Sequence, residues 1–391
     1  MRYQVDYCVF GGGMVGAACA IGLAKLGHKV LVIEPNRPDA FDPKSTPDLR
    51  VSALNRYTQS LLSSFGVWDD VLAMRAKQYS RLSVWEDIGK ALHFKAEEIG
   101  EQYLGYFVEN RILQLALLNK LKDEYADNVT VLYQSPERIE LAYSEQGGLI
   151  SLDDGSDVVA DVFVAADGGF SQLRSAVNIG TTAWQYQQNA NVLLVKMLTE
   201  FEAATWQQFT PKGPIAFLPL FDNYASLVWY GDNELSETLK KASSSECKEK
   251  VQAVFPKVLG DFEVIDKTAF PLRRMHANQY WRKNVVLVGD AAHQINPLAG
   301  QGVNLGFKDV GALIESIKNN PVSLTNKQAF IDYERSRRGP NLAMMTAMDV
   351  FYQTFSNDIL PLKLLRNMGV QIADNAGPVK HKVLKYAMGM E

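Results

Sequence analysis

Residues 9–24, "VFGGGMVGAACAIGLA", set Gly11, Gly13 and Gly16 in a GxGxxG spacing between a strand-like run and a helix-like run. Before it, residues 3–10, "YQVDYCVF", read as a strand. After it, a small-residue apolar helix runs to about Gly27, a helix stop. "KVLVIE", 29–34, then forms a second buried strand ending in Glu34, eighteen residues past Gly16. This β-turn-α-β unit is built for a dinucleotide. Gly11 permits the tight turn, Gly13 lets a pyrophosphate approach the backbone, and Gly16 allows close helix–strand packing. The helix start at Met14 and Val15 offers free N–H groups and a positive dipole end to phosphates. Glu34 is placed to accept from both hydroxyls of an adenosine ribose, which argues against a 2′-phosphate there. The uncharged run 7–24 also contains an "ACA" that mimics a signal-cleavage site. Its five glycines make a poor membrane span and Asp6 precedes it, so the nucleotide reading explains the residues better.

That turn cannot separate NAD from FAD, but a second stretch does. In "VVLVGDAAHQINPLAGQG", 285–302, Asp290 ends another buried strand, placed to bind an extended polyol such as ribitol. Gly300, Gln301 and Gly302 open the helix "VNLGFKDVGALIESI", whose positive end suits an isoalloxazine ring and its anionic reduced form. Two separated strand ends thus predict one FAD held at both halves. A third stretch, "AADGGFSQLR", offers Asp167, Gly168, Ser171 and Arg174 to phosphates or a pyridine nucleotide, and Arg50 in "DLRVSAL" is a further phosphate partner. The alternative for each arginine is a solvated salt bridge. His293 reads either as a proton shuttle or as a hydrogen-bonded structural histidine.

The rest of the chain is consistent with an ordinary globular protein. Its 391 residues are 47% hydrophobic and 21% charged, enough for two or three domain-sized units. A net charge of −4 offers no basic surface for nucleic acid. Cys8, Cys19 and Cys247 have no CxxC spacing and the five histidines no HxxxH, so a metal site is not expected and a reducing, cytoplasmic setting is. "VFVAADG" (162–168) and "NVVLVGD" (284–290) are further buried strands, and 107–125 has helical spacing. Such alternation implies a largely parallel sheet covered on both faces. Residues 79–96, with a turn around Asp87 and Gly89, and 190–231 read instead as an inserted antiparallel sheet. The expected fold is α/β (α+β overall): a Rossmann-like FAD-binding domain (1–76, 98–182, 266–345), a β-sheet substrate domain (77–97, 183–265) and a helical C-terminal segment (346–391).

Three motifs in order, GGGMVG…E, ADGGFSQLR and GDAAHQINPLAGQGVNLGFKD, resemble the para-hydroxybenzoate-hydroxylase-type flavoprotein monooxygenases. Over nearly its whole length the chain resembles the ubiquinone-biosynthesis flavin hydroxylases. "PDLRVSAL", "GVWDDVLAMR", "TWQQFTPKGPIAFLPLFDNYASLVWY" and "INPLAGQGVNLGFKDV" match most closely the bacterial branch acting on demethoxyubiquinol.

The resemblance implies FAD as cofactor, NAD(P)H as a transient reductant, since no second GxGxxG occurs, and O2 as co-substrate. It implies hydroxylation of a polyprenyl benzoquinol or phenol ring through a C4a-hydroperoxyflavin. Arg50 and Asp167 are then expected near the pyrophosphate and the path of the reducing nucleotide, and Arg111 in contact with FAD. Gly300 to Gly302 are expected at the flavin pyrimidine ring, with Pro297 where oxygen reacts. Such chemistry needs a dry pocket. Trp206, Phe209, Phe217, Leu218, Phe221 and Trp229 of the inserted sheet suit that role, although an aromatic strand face is equally natural as plain core. The basic tail after residue 359 (Lys363, Arg366, Lys380, Lys382, Lys385) is placed to meet a membrane surface or a partner subunit of a ubiquinone-synthesis complex, or to pack on its own chain. Three other activities stay open: a sister-position hydroxylase, a related FAD dehydrogenase or reductase, and a non-catalytic flavin-bearing subunit. A halogenase is disfavoured because no WxWxIP-like stretch occurs.

Overall fold

In the computed structural model, residues 1–86, 91–144, 147–296, 300, 302–323, 326–355 and 377–390 are described. A first sheet holds β1 (Arg2–Phe10), β2 (Val30–Ile33), β8 (Val129–Leu132), β11 (Asp157–Ala165), β17 (Trp281–Arg282) and β18 (Val285–Leu287), in the order β17-β18-β11-β1-β2-β8. β1 pairs in parallel with β2 on one side and β11 on the other, and β8 and β18 continue the parallel set. A hairpin, β9 (Pro136–Ser144) and β10 (Gly147–Leu152), runs antiparallel to the first half of β11. Burial explains the sequence pattern. Tyr7–Phe10 and all of β2 are buried on both faces, so these strands read as continuous apolar runs rather than alternations.

α1 (Met14–Lys25) buries every residue from Gly16 to Ala24. Small side chains allow this: a Cβ on Gly22 would stand 2.6 Å from Ile314 of α8 (Gly302–Asn319), so the helices nearly touch. α1 stops at Gly27 (φ +87°), whose N–H donates to Ala24 while His28 N donates to Leu23, a left-handed cap. α4 (Asn110–Glu124) also covers this sheet; α2 (Arg56–Ser64) packs on α8, α3 (Trp68–Met74) on α4, and α5 (Gln172–Ala176) on β9 and β18.

The second sheet runs β19-β16-β12-β15-β14-β13-β5-β6. Its strands are β5 (Arg81–Trp85), β6 (Leu92–Lys95), β12 (Thr181–Met197), β13 (Ala204–Gln208), β14 (Ile215–Pro219), β15 (Tyr224–Gly231), β16 (Phe262–Ala277) and β19 (His293–Gln294). It is antiparallel except for β13 and β5, which pair in parallel because a distant segment of chain supplies β5. α6 (Asn233–Lys241) and α7 (Ser244–Val254) pack on one face of it. A small sheet of β3 (Val51–Asn55), β7 (Gly105–Glu109) and β4 (Lys77–Tyr79) joins the two. The elements cross the expected boundaries. β4 lies in the small sheet rather than with β5, and β16 and β19 carry the second sheet well past residue 265. α9 (Gln328–Phe355) runs through residue 345 without a break. The turn at Asp87 and Gly89 lies outside the described residues.

The C-terminal helix, α10 (Pro378–Ala387), rests on the chain itself. Lys380 Nζ donates to Glu98 Oε1 at 2.9 Å, Leu384 and Met388 pack with Ala96 and Leu104, and Tyr57 N donates to Met388 O at 3.4 Å. Lys363 and Arg366 fall outside the described residues. Among the described residues, no helix is long and apolar enough to cross a membrane, and no cluster of metal-ligating side chains occurs.

Candidate functional site

Parallel pairing brings four strand ends to one edge: Gly11 after β1, Glu34 after β2, Asp167 after β11 and Asp290 just past β18. Ligands of such sheets bind in the crevice outside the carboxyl ends. Here glycines close the distances. Gly11 has φ +102°, and a Cβ there would lie 2.4 Å from Ala166 O. A Cβ on Gly16 would lie 1.9 Å from Gly11 O, so the helix start sits against the turn. Gly13 has nothing within 4 Å of its Cβ position, so that side of the turn is open. Gly13 also caps α1 without a side-chain bond, and no acid stands in the first turn. The N–H groups and the positive helix end therefore remain for an anion.

Glu34 is buried beside this turn. Its Oε2 accepts from Gly12 N at 2.8 Å and its Oε1 from Asn36 N at 3.0 Å. A carboxylate has about four lone-pair sites, so about two remain for ribose hydroxyls. Gln114 Nε2 supports the same turn by donating to Gly12 O at 2.9 Å. Gln114 follows Arg111 by three residues on α4, one helical face, and that spacing was the signal that would have found it. Arg111 is committed to the neighbouring loop: it donates to both oxygens of Asp48 and to the carbonyls of Asp39 and Ala40.

The second half of the crevice lies one turn away. Val15 of α1 stands 3.2 Å from the Cβ position of Gly289 and 2.7 Å from that of Gly306 on α8. Gly12 lies against Glu34 and Val15 against Gly289, so the contacts toward the two acidic ends are three positions apart in the chain. Asp290 reaches solvent at the crevice, yet protein around it pushes its carboxyl above the ordinary value; His293, Gln294 and Arg50 oppose that rise. Arg50 is exposed, with its guanidinium 5.8 Å over the Phe270 ring. Asp167 Oδ2 accepts from Gln172 N and Leu173 N, while its buried Oδ1 has no protein partner. Arg174 corrects the reading of a free phosphate partner. It is buried, and donates to Ala291 O and Gly169 O at 2.8 Å each, bracing the turn that carries Asp290.

Beneath this turn lies a network that motif reading missed. Asp309 of α8 is fully buried and accepts from Gly289 N at 3.1 Å, Arg337 Nε at 2.9 Å and Asn341 Nδ2 at 2.9 Å. His293 Nε2 lies 2.5 Å from the same carboxylate. Burial resists its ionisation, but these partners hold the Asp309 carboxyl below its ordinary value. His293 is 1% exposed, and its Nε2 is held in this network. Asn304 is similar. Its Nδ2 donates to Ala53 O and Gly300 O, and its Oδ1 accepts from Asn55 N and Thr58 Oγ1, so all four of its hydrogen-bonding sites are filled. It holds the Gly300 turn (φ +61°) against β3. Gly302 opens α8 directly after it, whereas Pro297 and Gln301 lie outside the described residues.

The expected pocket residues split by strand alternation. Trp206, Phe217 and Trp229 belong to the core beneath α6 and α7, packed with Phe255, Cys247 and Val251. They face away from the Gly300 turn, which corrects their reading as pocket lining. Phe209 sits on the opposite face with Tyr230 and Leu272, and Leu218 packs with Phe107, Leu194 and Ala53. A Cβ on Gly300 would stand 3.1 Å from Ala53 Cβ. Phe221 is held under the Arg75 guanidinium, 4.4 Å from its ring, beside the loop that Arg111 pins.

Comparison with known proteins adds to this geometry. The family described as FAD binding domain matches residues 4–338. The chain is 42% identical to the 3-demethoxyubiquinol 3-hydroxylase of Escherichia coli (strain K12) over 388 residues, covering 98% of each protein. It is 33% identical to the mitochondrial ubiquinone biosynthesis monooxygenase COQ6 of Homo sapiens over 434 residues, covering 98% of this chain and 92% of that one. Its fold matches the crystal structure of p-nitrophenol 4-monooxygenase PnpA from Pseudomonas putida DLL-E4 with a TM-score of 0.79 at 19% identity, over 99% and 97% of the two chains.

Proposed function

We infer the reaction from the family: the chain belongs to the FAD-binding-domain flavoprotein monooxygenases, in the group of ubiquinone-biosynthesis hydroxylases. It is an FAD-dependent aromatic monooxygenase that uses NAD(P)H and O2. The reading proposed for its substrate is a polyprenyl quinol or phenol whose ring gains one hydroxyl. The observation that carries this reading is the convergence of the Gly11–Gly16 turn, Glu34 and Asp290 at one sheet edge, in a chain similar to quinol hydroxylases from end to end.

The residues present fit FAD. An open side at Gly13, an uncapped helix start, spare acceptor capacity on Glu34 and an exposed Asp290 at the second turn match pyrophosphate, ribose and ribityl chain in that order. What FAD supplies when bound is hydride acceptance and dioxygen activation; the chain supplies binding, orientation and dryness. In this reading Gly13, Met14 and Val15 hold the pyrophosphate, Glu34 the ribose, and Asp290 the ribityl hydroxyls, with Arg50 nearby. Gly300 and Gly302 present the positive end of α8 to the pyrimidine side. Leu194, Leu218 and Phe107, across from Ala53 and Gly300, make the dry wall that water must not cross. Asp309, Asn304 and Arg174 keep these turns in place.

The test is a single-turnover assay with FAD-loaded protein, anaerobic NADPH, and a demethoxyquinol analogue, followed by oxygen. Ring-hydroxylated product, scaling with NADPH consumed, is the expected result. Flavin reduction with no oxygen in the product makes the chain a dehydrogenase or reductase, and a flavin that NADPH leaves oxidised makes it a non-catalytic subunit. The polyprenyl substrate is insoluble in water, so delivery from a membrane or a lipid-carrying complex belongs to the same reading.

A further inference from the structure

We propose that the last helix of the chain is a positioning element for the flavin turn: α10 ties the edge of the second sheet to Asn55, and through Asn304 to Gly300. This rests on the reading of Gly300 as the turn beside the flavin, and adds what holds that turn from outside.

Ten residues are too few for a helix that is stable in water by itself, so α10 is ordered by what it docks on. Lys380, Leu384 and Met388 recur every four residues, which puts them on one face, and all three are buried. The start of that face rests on the second sheet. Lys380 Nζ donates to Glu98 Oε1 at 2.9 Å, in the Ala96–Ile99 turn that follows β6. Leu384 and Met388 form a cluster with Ala96 and Leu104, and Leu82 of β5 and Phe94 of β6 pack against it.

The end of the same face reaches the flavin-binding half. Met388 N donates to Leu384 O, Gly389 turns left-handed (φ +70°), and Met390 N closes back on Lys385 O at 2.9 Å. This close leaves Met388 O to accept from Tyr57 N, in the first turn of α2, at 3.4 Å. A Cβ on Gly389 would stand 2.7 Å from Tyr57 Cβ, 3.2 Å from Asn55 Nδ2 and 3.4 Å from Lys308 Cε on α8. The chain end is therefore wedged against the start of α2 and against α8, where both the backbone angle and the space call for glycine.

Asn55 is the link inward. Its Oδ1 caps α2 by accepting from Thr58 N at 3.0 Å, and its N–H donates to Asn304 Oδ1 at 3.0 Å. Asn304 Nδ2 donates in turn to Gly300 O at 3.2 Å. Packed contact and hydrogen bonds thus run without a gap from Gly389 to Gly300, the kind of network that carries a shift from one place to another. The Gly12 turn is held by Glu34 and Gln114 instead. Releasing α10 therefore alters the setting of the flavin ring more than the affinity for FAD.

The test uses the full-length protein with Leu384→Asp, Glu98→Lys, Gly389→Ala, and Glu98→Lys combined with Lys380→Glu. Thermal melts check that each is folded, and tryptic cleavage after Lys382 and Lys385 reports whether α10 has left its seat. In the apoprotein, mass spectrometry follows amide exchange in segments 53–58 and 302–307. Leu384→Asp and Glu98→Lys are expected to open the tryptic sites and to speed exchange in both segments about tenfold. The double charge swap restores both protections. Gly389→Ala speeds exchange in both segments while the tryptic sites stay covered. With saturating FAD, the visible circular dichroism of the flavin changes in the released variants and returns in the swap. Exchange in 302–307 that is unchanged once α10 is released overturns the proposal, and so does a helix that stays protected in Leu384→Asp. If Leu384→Asp does not fold, Glu98→Lys and Gly389→Ala decide by the same readings. Faster exchange with an unchanged flavin spectrum keeps the tie to Gly300 and instead removes Gly300 from the flavin.

Discussion

Glu34 shapes the first turn and is proposed to hold the ribose as well, and the two roles can be measured apart. Its two observed bonds shape the Gly12 turn, while its remaining lone pairs are the ones a ribose would use. Glu34→Gln keeps the size but leaves one acceptor oxygen. Two ribose hydrogen bonds at about 1.5 kcal/mol each predict a roughly hundredfold weaker FAD affinity. Equilibrium titration of apoprotein with FAD checks it, and an affinity within threefold of the unmodified protein removes Glu34 from the site. Asp309 makes the opposite case, a residue that touches no proposed ligand atom. Asp309→Asn leaves Arg337 buried without its partner, so the apoprotein is expected to lose about 3 kcal/mol of stability. Because Gly289 N loses a charged acceptor, FAD affinity should fall about tenfold as well, as for one charged hydrogen bond. Denaturant melts with and without FAD separate the two effects; equal destabilisation in both leaves Asp309 purely structural.

Elements position these residues through close contact, and the glycines of the first turn show how finely. Gly16→Ala places a methyl 1.9 Å from Gly11 O, where backbone must move, and is expected to cost about 3 kcal/mol or prevent folding. Gly13→Ala meets only open space, so its stability cost should stay within about 1 kcal/mol. In the proposed site that open space takes the pyrophosphate, however, so FAD affinity should fall at least tenfold. Thermal melts paired with FAD titration read both variants; a Gly13→Ala protein that binds FAD normally means that the pyrophosphate does not approach there. Strand alternation in the second sheet is the element-scale counterpart. Periodicity identified Trp206, Phe217, Trp229, Phe209 and Leu218 as strand residues, but alternation is symmetric about the sheet plane. Only the placement of α6 and α7 decides which face is sealed core and which looks toward Gly300.

For the molecule as a whole, acid should be destabilising through its buried centre. Burial first, then the imidazole of His293 and the guanidiniums of Arg338 and Arg274, push the His276 imidazole down to about 4. In the unfolded chain it protonates near its ordinary value, so between about 6.5 and 4 the unfolded state binds the extra proton and stability falls with pH. The native carboxylate of Asp309, held low, resists protonation until more acidic conditions still, and its contribution is lost last. A difference of about 2.5 units is worth about 3 kcal/mol at the acid limit. His276→Gln, which keeps a hydrogen-bonding group for Tyr280, should flatten the slope of stability between pH 6.5 and 4. An identical slope in the variant assigns the acid sensitivity elsewhere.

The parallel sheet and the two glycine-rich turns were legible because each depends on contacts within a few residues. A strand end, a φ only glycine tolerates and a helix start are neighbours in the chain, so their spacing carries their chemistry. The supports were not legible, because their partners are far apart in sequence. Asp309 stands in its helix as an ordinary carboxylate beside Lys308, with nothing in the local spacing to mark it, and Asn304 reaches Asn55 and Thr58 from more than two hundred residues away. Arg174 looked free for a phosphate until the fold turned it inward onto Ala291. The tail was open between its own chain and an outside partner; Lys380 on Glu98, and Met388 beside Leu104, decided its last helix. Local spacing sets which groups point out of a strand or helix end, but burial is a property of the assembled layers, so the sheet's inner face and the carboxylate under the turn had to wait for the tertiary structure.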